Sequence, residues 1–177
     1  MPRTFTHAVS LKRDVPKIIE TETLGEDDKA LGTQIQKFAN TPIIFCSYLC
    51  DGYPLFYCSS HRPRLDFETD TKEVYALPCD TFEFLRSAHW LKGYEQFVFP
   101  TLEKLLERYP TSEEFKVDFQ KFFRKQNPYK MYPNFPKNDA EIRFELDYCL
   151  EKNWVVGCNE IAFPKPFKIK NPLLITE

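Results

Sequence analysis

Four residues with the chemistry of metal ligands or nucleophiles lie within one short stretch: Cys46, Cys50, Cys58 and His61. The stretch is PIIFCSYLCDGYPLFYCSSHRPR, residues 42–64, and it holds three of the six cysteines. Thiolate sulfur and imidazole nitrogen bind zinc tetrahedrally, so a Cys3His set is chemically sensible. The spacing Cys46-x3-Cys50-x7-Cys58-x2-His61 follows no standard finger or knuckle pattern. Strand alternation gives a different expectation. Two apolar runs flank Asp51-Gly52, a dipeptide that suits a two-residue hairpin turn. That turn sets Cys50 opposite Tyr53 and Cys46 opposite Tyr57, and it sends Cys58 to the other face. A three-residue loop would instead set Cys46 opposite Phe56 and bring it onto the same face as Cys58. Asp-Gly favours the first register, so the cysteines are expected to be buried thiols. No metal or other cofactor is favoured, and zinc is kept as the alternative.

Three residues are candidates for nucleophilic chemistry: Cys58, Cys79 and His61. Cys79 precedes Asp80, the expected cap of a helix whose N-terminus would lower a thiol pKa, while the Asp80 carboxylate opposes that effect. His89 lies about 15 Å along the same helix at about 1.5 Å per residue, too far to serve as its base. The loop Ser59-Ser60-His61-Arg62-Pro63-Arg64 offers hydroxyls and two guanidinium groups, a set suited to phosphate or carboxylate. Ser59, Ser60, His61, Arg62 and Arg64 are therefore the candidate ligand contacts. The ordinary alternative is a solvated loop whose arginines pair with Asp66, Glu68 or Asp70.

A helix, a strand, Asp-Gly and a strand ending in a Ser/Arg loop occupy residues 27–65. This order resembles the opening of the FMN-binding split-barrel flavoproteins. The resemblance implies that Ser59, Ser60, Arg62 and Arg64 would contact a phosphate-bearing, flavin-like cofactor. The helical second half departs from the compact barrel of that family.

Residues 119–137 (FQKFFRKQNPYKMYPNFPK) interleave five cations with aromatic rings and contain no acid. Stacking plus phosphate neutralisation is how single-stranded nucleic acid is gripped. Cations near a helix C-terminus also complement its dipole, and Phe119, Phe122 and Phe123 fall on a core stripe. Nucleic acid is accordingly not the expected partner. G-x-G-x-x-G, the P-loop, HExxH and G-x-S-x-G are all missing from the sequence.

The elements that must position these residues follow from periodicity. Phe5, His7, Val9 and Leu11 alternate as a strand, and residues 73–77 read as another. Residues 27–39 carry a helical period through Leu31, Ile35 and Phe38. Asp80-x-x-Glu83, Thr111-x-x-Glu114 and Asn138-x-x-Glu141 resemble capping boxes that open helices. Leu102, Leu105, Leu106 and Tyr109 share a stripe that Pro110 ends. Phe115, Phe119, Phe122 and Phe123 make the next stripe, and Ile142, Leu146, Cys149 and Leu150 another. Trp154-Val155-Val156 reads as a buried strand. The tail FPKPFKIKNPLLITE is punctuated by Pro164, Pro166 and Pro172, so it is expected to be extended. Such an arm lies across its own domain or docks on a partner.

A 42% hydrophobic content with 16% aromatics is enough for a core built from rigid rings, which argues against disorder. The net charge of -2 argues against a dedicated nucleic-acid binder. No window approaches the roughly 18 apolar residues of a membrane span. The N-terminus lacks a secretory pattern, so the expected compartment is intracellular and reducing, by default the cytoplasm. The expected fold is one α+β domain over residues 1–177 with extended termini (1–26 and 163–177). In it, a small, mostly antiparallel sheet from the first half and residues 154–169 packs against four or five helices in the C-terminal half. The expected role is a non-catalytic interaction or assembly subunit with a protein partner. The alternatives are a ligand-binding domain or enzyme at Ser59–Arg64, and a Cys/His zinc module.

Overall fold

The structure is a computed structural model that describes residues 2–9, 14–25, 41–53, 55, 63–79, 93–125 and 159–176. Its elements in chain order are β1 (Phe5–Ala8), α1 (Val15–Thr21), β2 (Thr23–Leu24), β3 (Ile43–Tyr48), β4 (Arg64–Glu68) and β5 (Tyr75–Leu77). A 3-10 turn (Tyr94–Phe97) follows, then α2 (Leu102–Arg108), α3 (Ser112–Arg124), β6 (Glu160–Pro164), β7 (Phe167–Lys168) and β8 (Lys170–Ile175). Six strands form one sheet in the order β5-β6-β3-β1-β4-β8, and β2 pairs with β7 as a ribbon. Every pairing between these strands is antiparallel.

This corrects the expected balance of a small sheet against four or five C-terminal helices. The described residues hold three α-helices, two of them in the second half, beside eight strands. The reason lies in the tail. Residues 160–175 form three strands, and β6 enters the middle of the sheet rather than its rim. Its three buried residues, Ile161, Ala162 and Phe163, are fully covered because β3 and β5 flank it. The helices expected at 27–39, 81–91 and 139–152, and the strand expected at 154–156, lie outside the described residues.

The second strand of the expected hairpin, with Tyr57 as the expected partner of Cys46, lies outside the described residues. β3 has β1 on one side and β6 on the other, and Cys46 pairs with Ile161. The Asp51-Gly52 bend docks on the start of α3. The Ser112 N–H and hydroxyl both donate to the Gly52 carbonyl, at 2.9 and 3.1 Å. Gly52 has φ +84°, and a Cβ there would stand 2.7 Å from Thr111 Cγ2. Both the backbone conformation and the close approach require glycine.

One face of the sheet carries Phe5, Cys46, Ile44, Leu65, Phe67, Ile161 and Phe163, all buried. Phe5 meets Phe163 edge-on at 5.1 Å, and Phe163 stacks on Phe167 at 4.8 Å. A second aromatic group joins the helices to the sheet. Phe97 contacts Phe115, Phe119 and Phe122 edge-on at 5.2–5.7 Å. Phe99 continues this group into the sheet, exchanging two backbone hydrogen bonds with Ala76 and so covering the β5 edge.

The helix ends follow local chemistry. Thr101 caps α2 by accepting the Lys104 N–H, and Glu73 Oε1 accepts the Leu102 N–H at 2.6 Å. Pro110 follows Tyr109, and Glu114 Oε2 accepts the Thr111 N–H at 3.2 Å. Phe115 and Phe119 lie on the buried face of α3, while Val117 is exposed on the other. Asn159, buried at the entry to β6, extends the ladder by one rung. Its side-chain carbonyl accepts the Tyr48 N–H at 2.7 Å, and its amide donates to the Tyr48 carbonyl at 2.8 Å. The side chain thus does what a backbone peptide would do in the next ladder position.

Candidate functional site

Cys46 is buried on the apolar face of the central strand β3. Burial pushes its thiol up, and the neighbouring Glu160 carboxylate adds to this. Cys50, half-buried just after β3, is also pushed up by burial and then by Asp51. Its sulfur lies 3.9 Å from the Asn159 amide nitrogen. Both environments favour the neutral thiol, whereas the nucleophilic form is the thiolate. Cys79 is buried too. Cys58 and His61 lie outside the described residues. Among the described residues no group of three His, Cys, Asp or Glu side chains is placed to hold a metal.

Ser59, Ser60, His61 and Arg62 likewise lie outside the described residues. Arg64 opens β4, where its Nε donates to Asp66 Oδ1 at 3.1 Å. The two side chains keep only 21% and 13% of their exposure, so solvent screens the pair weakly and the carboxylate offsets the guanidinium charge. In the basic aromatic segment, Phe119 is buried and Phe122 packs on Phe97, so both rings are committed to the core. Lys121 sits 3.7 Å from Asp118. Residues 126–137 lie outside the described residues.

The feature that stands out is the far edge of the sheet. Among the described residues β8 pairs with β4 alone. No residue of β8 is buried, and Leu173 is 59% exposed, the most exposed large apolar side chain described. Asp66 lies opposite Leu173, and Arg64 lies opposite Ile175. Leu173 and Ile175 therefore form an apolar strip on the same face as the Arg64–Asp66 pair, which borders it as a polar rim. Thr6 and Ser47 continue the polar row across β1 and β3.

The hydrogen-bond phase of this edge follows from one bond further in. The Val9 N–H donates to the Pro63 carbonyl, so Pro63, Leu65 and Phe67 direct their peptide groups toward β1. Arg64 and Asp66 must then direct theirs toward β8. Their partners Ile175 and Leu173 bond inward, and Leu174 presents its N–H and C=O outward.

The sequence suggested a tail able to dock, but not which residues point out of the sheet. The run Pro172-Leu173-Leu174-Ile175 shows no alternation in polarity, so only the ladder separates the outward Leu174 backbone from the exposed Leu173 side chain. Among the described residues no helix is long and apolar enough to cross a membrane. Comparison with protein-family models, curated proteins and solved structures gave no match.

Proposed function

We propose that this chain is a non-catalytic interaction or assembly subunit that works inside the cell and meets a protein partner through the β8 edge. The observation that carries the reading is Leu173, 59% exposed on an edge strand with a half-buried ion pair beside it. An apolar anchor with a polar rim is the usual anatomy of a contact surface. The raised thiols at Cys46 and Cys50 support a role without thiolate chemistry.

Size fractionation of native cell extracts tests the proposal. The full chain is expected in a species larger than the monomer, and Leu173→Lys is expected to shift it to monomer size with no loss of thermal stability. The Lys side chain would sit opposite Asp66, so the fold itself should tolerate it. A wild-type chain that runs as a monomer in the extract defeats the reading.

A further inference from the structure

We infer that the occupant of the β8 edge is a second copy of this chain, paired β8 to β8 about a two-fold axis through Leu174. This rests on the assembly reading above and names its partner. Three observations meet here. Leu174 directs its peptide N–H and C=O away from β4, so two copies can exchange a pair of hydrogen bonds at a central Leu174–Leu174 rung. In that register Leu173 of one copy lies opposite Ile175 of the other, and the symmetry repeats the pair. These flanking positions are non-hydrogen-bonded, where side chains approach most closely. Leu173 is 59% exposed and Ile175 half-buried, so pairing covers the one large apolar side chain the strand leaves in water.

The strand is thus self-complementary about its own centre, which is what an isologous interface demands. The other end of β8 confines the contact. Asn171 holds φ +49°, the ladder shifts register between Asp66 and Glu68, and Pro172 has no N–H to offer. Lys170 is held by Asp70. Pairing therefore spans only residues 173–175, too short for indefinite edge-to-edge growth. The product is one continuous antiparallel sheet across two chains, held by a contact smaller than the roughly 1,200–2,000 Å² of stable complexes, so association should depend steeply on concentration.

Sedimentation velocity on the purified full chain tests this from about 1 μM to about 500 μM, a range set for an interface of this size. The weight-average mass is expected to rise from one chain toward two and no further. Amide hydrogen exchange at Leu174 is expected to slow at least tenfold across the same range, while amides of β3 and β6 keep their rates. Leu174→Pro removes the outward donor without touching the bonds to β4, and Leu173→Lys sets a charge against the apolar Ile175 of the other copy. Each is expected to abolish dimerisation, and Leu173→Lys is expected to do so with an unchanged unfolding midpoint. A wild-type chain that stays monomeric throughout, or a dimer that survives both substitutions, overturns the inference. A monomer in this assay together with a large species in the native extract would sink the self-pairing and leave the assembly reading standing.

Discussion

Cys46 and Cys50 show how environment decides the use of a reactive side chain. Burial raises both thiols, and it raises the hydroxyls of Tyr53, Tyr75 and Tyr109 as well, the last to about 12. In the unfolded chain these thiols ionise near 9.0 and the tyrosines near 10.0. Between those values and the raised folded ones, the folded state holds protons that the unfolded state has released. Stability is therefore complete below about pH 9 and falls as pH rises through the folded values. A series of thermal midpoints should be flat near neutrality and decline steadily above about pH 9. A midpoint that holds at about pH 11 would contradict this reading of the buried hydroxyls and thiols. At neutral pH, Cys46 should resist alkylation until the chain unfolds, and Cys50 should react more slowly than an exposed thiol.

At the level of elements, the rung made by Asn159 is the most specific local device. Its side chain satisfies both the N–H and the C=O of Tyr48. Asn159→Leu leaves both backbone groups without that partner, and each buried group so exposed costs about 1–3 kcal/mol. Chemical denaturation should show a loss of about 3 kcal/mol for this variant. A loss below about 0.5 kcal/mol would mean that water replaces the amide. The ends of α2 and α3 were legible in the sequence because their causes are local: Glu114 accepts the Thr111 N–H, Pro110 follows α2, and the Phe115–Phe119 stripe is buried as its spacing implied. Helix α1, inside a terminus expected to be extended, was not legible, and it has no side-chain cap. Strand β1 and strand β5 were legible for the same reason as α2 and α3. The neighbours of β3 were not, because alternation reads the same whichever antiparallel partner lies alongside. Ile161 is 115 residues from Cys46, and nothing within residues 42–64 announces it. The β8 edge was half legible: the prolines marked an extended tail, but which backbone groups face outward depends on a bond between Val9 and Pro63.

Across the described elements, one aromatic group ties the sheet to the helices, and Phe97 is its hub. Phe97→Ala removes three edge-on contacts and leaves a cavity, so a loss of about 3–5 kcal/mol is expected in a denaturant titration. A loss under about 1.5 kcal/mol would show that α3 collapses to fill the gap. The position of β6 has a further consequence, in time rather than in space. It sits between β5 and β3, while β8 closes onto β4 and β7 onto β2. During synthesis β1, β3 and β4 emerge well before any of these partners exist. They leave the ribosome as hydrophobic strands with open edges, and the sheet can be completed only after residue 175 is free. Long-range pairing of this kind folds slowly and exposes sticky intermediates. Nascent chains of this protein should therefore depend on chaperones until the last strands are released.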